Sequence, residues 1–520
     1  MYCTICGDNK ELKRPHKWLT IGLLKVNREL QKGLFMELQF TGQVVFEQLS
    51  LGFEIEESAN PEAASRWSVR KTFKAYRPDQ TIIWQVPKEI LPQQHLVWFV
   101  QKVVAHLDLS EILSGYRNSN GRGQPPYDPK MMLTLLIYCY CTERESARDI
   151  EQATYDDIPC KIITGDQHPD YSTIANFRKE NLSALDGLFA QVLTLACEAG
   201  LVPLKNVATD GSKVKANASK HKAMSYDRLC ETEAKWEQEI LQIKAQIEAA
   251  RGMDPPLAPR QLADLQKDLA IRQERLPIIK TSKVVLEKEA RDKTANARSQ
   301  YEETARQQGK KPRKRAWKTK PDAKAQRNFT DPDSKIMPSK KTFVQGYNAQ
   351  VAVDGFRQII VGHDVTQQTN DKQELLPMAR QIKSRFGQLP DNFLADSGFW
   401  SEANVNNEEW EKLGVTNLLI PPGKEEKGRK SPAPVGRIPK DATVAELMRR
   451  KLKTRAGHST YRLRKSIVEP VIGQIKCALD FDEFRLRGLT QVKQEWGFIC
   501  TIHNILKIFR SGFQLAPASG

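Results

Sequence analysis

Three carboxylates in this chain stand where they could act on a phosphodiester: Asp210 in KNVATDGSKVKANAS, Asp396 in DNFLADSGFW and Glu469 in YRLRKSIVEPVIGQIK. Converging carboxylates can hold two hard divalent cations through oxygen, leaving phosphate oxygens to complete the coordination. A metal pair about 3.5 to 4 Å apart activates the attacking oxygen and stabilises the leaving one in an in-line displacement. Cations are at hand to offset a polyanion: Lys213 and Lys215 follow Asp210, and Arg464, Lys465 and Lys476 flank Glu469, with Tyr461 ahead of them. At helical spacing Arg462, Lys465 and Lys476 fall on the face that carries Glu469. Taken alone, this stretch also reads as an amphipathic helix with a solvated charged face, anchored by Ile467, Val468, Val471, Ile472 and Ile475. Pro470 is expected to kink that helix or to start it afresh near Glu469. Asp210-Gly211, taken alone, also reads as a turn. Rival chemistries lack a motif: there is no phosphate-cradling Gly-rich loop, no nucleophile elbow and no zinc-protease helix.

The elements that must position these acids follow from the hydrophobic pattern. From Lys71 to about Gly200, segments of helix length with helical apolar spacing predict an all-helical module. Within it, a turn over 165–170 precedes Ser172 and Thr173, expected caps for a helix bearing Asn176, Arg178 and Lys179. A helix-turn-helix would lay that helix in a major groove, although helix pairs joined by a turn are common without this role. Val207, Thr209 and Val214 predict a strand that ends or bends at Asp210-Gly211. Residues 225–335 read as an inserted antiparallel helical hairpin broken at Met253 to Pro259, closing in the basic run GKKPRKRAWKTKPDAKAQR, a candidate strap for phosphates. A β-hairpin is expected across 341–367, turning at Asp354-Gly355. Helix and strand then alternate, as in a mixed sheet with helices packed on it, and Asp396 falls at the carboxyl end of a buried strand. Asp371 reads as a helix cap and Trp496 as core, in a stripe with Ile499, Ile502, Leu506 and Phe509. His363, His458 and His503 are too dispersed for a metal set.

Composition narrows the partners. Lys+Arg of 80 against Asp+Glu of 63 leaves a formal charge of +17, which favours a polyanion, nucleic acid before an acidic membrane surface. No apolar run approaches the roughly 20 residues that span a bilayer, and no signal-peptide pattern is present, so a soluble cytoplasmic protein is expected. The 9 cysteines are scattered, several inside apolar helical segments, and read as reduced core thiols; Cys3 and Cys6 make only half a zinc motif.

Together these pieces resemble the DDE transposases of bacterial insertion sequences, in the branch whose third acid lies in a Tyr-Arg-Glu-Lys motif. The resemblance is carried by ATDGSKVKANAS, NFTDPDSKIM, GYNAQVAVD, VTQQTND, FLADSGFW, RKSIVEPVIGQIK and RLRGLTQVKQEWGFICTIHNILKIFR, and by the run from FKAYRPDQ through YSTIANFRK. It implies a ribonuclease H-like catalytic domain, a mixed sheet flanked by helices, over 201–224 and 336–510. An all-helical DNA-binding domain over 71–200 and the inserted arm over 225–335 would complete it, with 1–70 an extension and 511–520 a tail. It further implies Asp210, Asp396 and Glu469 as the metal-binding triad for two Mg²⁺ ions, with Mn²⁺ able to substitute. Lys213, Lys215, Arg464, Lys465, Lys476, Tyr461, Arg178 and Lys179 would contact double-stranded DNA, at element ends and target. The implied activity is cleavage at the element's ends, then attack of the freed 3′ hydroxyl on target DNA, within a homodimer. A DNA-binding protein without catalysis, and a nuclease of the same fold that cuts without joining, are the alternatives. The chain departs from the branch in one register: the places seven and four residues before Glu469 hold Arg462 and Lys465, with Tyr461 and Arg464 one position earlier, while Lys476 keeps its place.

Overall fold

The computed structural model describes residues 91–515 apart from 118–124, 252–258, 308, 312, 314–315, 340–341, 415–416, 424–435 and 440, all within one unit, Val69–Gly520. The 1–70 extension with Cys3 and Cys6, the segment 71–90 and the last five residues lie outside the described residues. Among the described residues no helix is long and apolar enough to cross a membrane.

The N-terminal region is helical. Leu96–His106 (α1), Ser110–Arg117 (α2), Pro129–Cys141 (α3), Ala147–Asp156 (α4), Ile158–Thr164 (α5), Tyr171–Glu180 (α6) and Leu182–Glu198 (α7) follow one another with short connections. Nearly every residue of α3 is buried, and Asp128 caps it ahead of Pro129, whose missing N–H would have had no partner in the first turn. The described cysteines are free thiols, with Cys139 and Cys160 sulfur to sulfur at 3.7 Å in the core. The α5–α6 turn uses two left-handed residues, Gly165 and Asp166. The cap of α6 is Asp170 and not Ser172 or Thr173: its carboxylate accepts both of their backbone N–H groups and both hydroxyls.

Asn206–Lys215 (β1), Ala223–Ser225 (β2), Gln326–Asn328 (β3), Lys335–Ser339 (β4), Thr342–Asp354 (β5), Ile360–Thr366 (β6), Asn392–Ala395 (β7) and Asn417–Leu419 (β8) supply the strands. The main sheet runs β6, β5, β1, β7, β8, with β4 pairing the start of β5. Pairing is antiparallel from β6 through β5 to β1 and parallel from β1 through β7 to β8. This is the expected mixed sheet with helices on it. The hairpin at Asp354 is present as β5 and β6, and Asp354 does more than turn the chain: it accepts the Phe356 and Leu204 N–H groups. The expected break at Asp210-Gly211 is absent. β1 continues through it to Lys215, because each residue from Val207 to Lys215 has a partner on β5.

Between β2 and β3 stand Tyr226–Arg251 (α8) and Pro259–Gln307 (α9). They lie antiparallel, cross-linked by Arg272–Glu239, Lys283–Glu233 and Lys280–Glu237. The arm has its own small core of Leu229, Ile279 and Leu286 at the sheet end. Leu375–Phe386 (α10), Glu402–Val405 (α11), Glu409–Leu413 (α12), Val444–Lys453 (α13), Arg455–Cys477 (α14) and Leu489–Arg510 (α15) complete the chain. Helix α15 packs between α7 and β6, tying the helical region to the sheet, and α14 lies across β1, β5 and β7. Trp496 on α15 is buried and donates its indole N–H to the Gln350 carbonyl, as its core reading expected.

Pro470 does not start the helix afresh; α14 is continuous from Arg455 to Cys477. A proline frees the carbonyl four residues back, here that of Ser466, and Gln358 of the β5–β6 loop donates to it at 2.9 Å. The same side chain accepts from Lys507 of α15 at 2.7 Å. Gln358→Ala is therefore expected to lower stability by about 1 kcal/mol through the lost bonds, measured by urea denaturation, with far-UV helicity unchanged.

Candidate metal and nucleic-acid site

The parallel register of β1 and β7 pairs Thr209 with Ala395. The next residue in each segment is an acid, Asp210 within β1 and Asp396 just past β7, so the two stand side by side where β7 ends. Asp396 is fixed by its own turn, accepting the Gly398 N–H at 2.7 Å, and Asp210 accepts the Gly211 N–H. Burial, then the neighbouring Asp396 charge, pushes the Asp210 carboxyl up to about 6, against the lowering pull of Arg464.

Glu469 faces this pair from α14 with its side chain half exposed. Arg464 joins them: one guanidinium nitrogen donates to Asp210 Oδ2 and another to Glu469 Oε1, each at 3.2 Å. Its side chain is buried, unlike Arg462 and Lys465, which are exposed. The expected face of Arg462, Lys465 and Glu469 is thus replaced by one carrying Arg464, five residues before the acid. Tyr461 is half-buried in the same place; burial raises its hydroxyl pKa and the Arg464 charge opposes this. The one-residue shift in the motif therefore leaves both Tyr461 and Arg464 at the site. Lys476 instead lies further along β1, donating to the Lys213 carbonyl at 3.1 Å.

Other candidates are placed differently. Lys213 lies 3.7 Å from Asp371, and Lys215 pairs with Asp482 at 2.7 Å on the surface. Arg178 turns inward, donating to the Tyr140 hydroxyl and the Glu145 carbonyl, so it braces α3 and does not project from a reading helix. Lys179 is exposed. His363 and His503 are buried and held down to about 3 by burial, neutral core groups away from the acids.

Asp371 is not a helix cap. Helix α10 begins at Leu375 after Glu374, and the Asp371 Oδ1 atom instead accepts from Asn348 Nδ2 and Gln350 Nε2, each at 2.6 Å. Sequence reasoning gave Asp371 another role and passed over Asn348 and Gln350, yet a signal existed: in GYNAQVAVD two amides alternate on one face of an otherwise apolar strand, and buried amides require partners. The same cluster explains Gly211. A Cβ there would overlap the Gln350 amide and stand 2.5 Å from Asp371 Oδ1. Gly211→Ala is expected to cost about 1–3 kcal/mol by overpacking, read as a fall in Tm.

Hard oxygen donors on adjacent strands suit Mg²⁺, which binds through one or two carboxylates and keeps its other positions for water and phosphate. Asp210 and Asp396 meet that description. Glu469 is separated from them by the width of one guanidinium, and among the described residues no three His, Cys, Asp or Glu side chains converge on one point.

Comparison with known families agrees with this geometry. Residues 85–180 match the model of a transposase domain (DUF772), and residues 317–505 match that of the transposase DDE domain. No curated protein and no solved structure matches the chain. The DDE domain implies a ribonuclease H-like fold, DNA as substrate, dependence on divalent metal and a nucleotidyl-transferring enzyme. The two matched domains, in this order along the chain, support an insertion-sequence DDE transposase.

Proposed function

We propose that the chain binds the terminal inverted repeats of an insertion sequence, cuts phosphodiester bonds at the element's ends and joins those ends to target DNA. The observation that carries this reading is the side-by-side placement of Asp210 and Asp396 at the end of β7, faced by Glu469 on α14. These three carboxylates would hold two divalent ions, Mg²⁺ or Mn²⁺, which when bound generate a nucleophile from water and stabilise the leaving oxygen. Arg464 orients Asp210 and Glu469, and its remaining N–H groups, with the Lys476 ammonium, suit phosphate oxygens. Water attack at the scissile phosphorus leaves a 3′ hydroxyl and a 5′ phosphate; the 3′ hydroxyl then attacks a phosphodiester of the target. The helical region up to about Gly200 and the arm over 225–335 are read as DNA-binding parts, in keeping with the +17 charge. Both ends must be held together, so the working form is taken to be a homodimer in the cytoplasm. Purified protein with Mg²⁺ and a DNA carrying the inverted repeats that flank its gene is expected to yield both cut and joined products. Cutting without joining favours a nuclease of the same fold, and binding without cutting favours a non-catalytic DNA-binding protein.

A further inference from the structure

Asp371 has more in common with the acids of the site than with the loop that carries it. One oxygen is fully engaged: Oδ1 takes the amide donors of Asn348 and Gln350 at 2.6 Å, with the Lys213 ammonium at 3.7 Å. Both amides come from residues that are entirely buried, so the carboxylate is held at a fixed place. The other oxygen, Oδ2, has no hydrogen-bond donor among the described residues. It opens onto the Asp396 turn. A Cβ built on Gly398 would lie 3.4 Å from Asp371 Oδ2 and 2.9 Å from Asp396 Oδ1, so the two carboxylates border one small space that Gly398 keeps clear.

A second, independent observation points to a donor in this region. The Asn348 Oδ1 and Gln350 Oε1 atoms are buried acceptors with no partner. Asn348 Oδ1 lies 2.9 Å from where a Gly211 Cβ would stand, on the face of β1 that meets Asp371. Buried acceptors left unmatched by protein are matched by water or by an ion's water. Hydrogen-bonding groups just beyond a metal's ligands, carboxylates among them, orient those ligands and tune the metal.

We infer that Asp371 is a positioning residue of the metal centre: anchored by Asn348 and Gln350, it accepts through Oδ2 from water bound to the ion held at Asp396. Gly211 and Gly398 are glycines so that this carboxylate can approach from the opposite face of β1. The inference rests on the metal-binding reading of Asp210 and Asp396, and the experiment separates the two.

Mn²⁺ affinity is measured without DNA, by titration calorimetry and electron spin resonance of free Mn²⁺, on the full chain and on Asp396→Asn and Asp371→Asn. Thermal stability is read in metal-free buffer. Asp396→Asn is expected to lose the site, whereas Asp371→Asn keeps it with an affinity about 10- to 100-fold weaker. Unchanged Mn²⁺ affinity in Asp371→Asn, with or without a lower Tm, overturns the role of Asp371 and leaves the site intact. Wild-type affinity in Asp396→Asn, or no binding to the wild-type chain, overturns the metal-binding reading itself. If Asp371→Asn does not fold, Gln350→Met removes one anchoring donor instead; severalfold weaker Mn²⁺ binding supports the inference and unchanged binding overturns it.

Discussion

Asp396→Asn is expected to reduce DNA cleavage by about 10³-fold or more, equivalent to ~4 kcal/mol of barrier, while leaving the fold in place. The amide is the same size as the carboxylate and can still accept the Gly398 N–H that shapes the turn after β7. What it loses is charge, and with it a hard anionic ligand. A second readout follows from the geometry. Asp396 is one of the two causes that raise the Asp210 carboxyl to about 6, so Asp210 should titrate lower in the variant, visible by carboxyl ¹³C NMR. Cleavage at wild-type rate, with Asp210 titrating as before, would remove Asp396 from the site.

Arg464→Ala should have the next largest effect. Its guanidinium is the only described contact between Asp210 and Glu469, and removing one preorganised donor from a polar site typically costs on the order of 10²-fold in rate. Arg464→Lys is expected to recover only part of this, because an ammonium is a point charge and cannot fork between two carboxylates. The titration of Asp210 moves the other way from the Asp396 variant: Arg464 lowers it, so without the arginine it rises above about 6. The sign for stability follows. A carboxyl whose pKa is raised in the folded chain binds its proton more tightly there than in the unfolded chain. Its favourable contribution is present below the ordinary value of 3.8 and is lost as pH rises through about 6. Arg464→Ala moves the upper limit of that window upward, so the variant should lose more stability than wild type between pH 6 and 7.5, measured by urea denaturation at each pH.

The succession of elements, and the strands β1 and β7 at which Asp210 and Asp396 stand, were legible because each rests on local pattern: β-favouring runs ending in an acid and helical apolar spacing. The mixed sheet and the helical region up to Gly200 followed from that spacing. What was not legible depends on contacts distant in sequence. Asp210-Gly211 has the composition of a turn, but pairing with β5 keeps β1 straight, and Gly211 is there to admit Asp371 and two amides from another strand. Pro470 carries a helix-breaking signal that Gln358, more than a hundred residues away, cancels by taking the freed Ser466 carbonyl. Helical offsets placed Lys465 with Glu469. The burial of α14 against β1 instead selects Arg464, which reaches Asp210 from a position no single-helix diagram would choose.

The central claim is that Asp210, Asp396 and Glu469, which the chain brings from two strands and a helix, surround one metal centre. Fe²⁺ put in place of Mg²⁺, with ascorbate and peroxide, releases hydroxyl radicals that cut the backbone within a few ångströms of the bound ion, and mass spectrometry locates the cuts. Cuts are expected next to 210, 396 and 469 together, suppressed by excess Mg²⁺ and absent from the Asp396→Asn chain. Cuts confined to other segments, or near 210 and 396 with none near 469 even when DNA is bound, would contradict it.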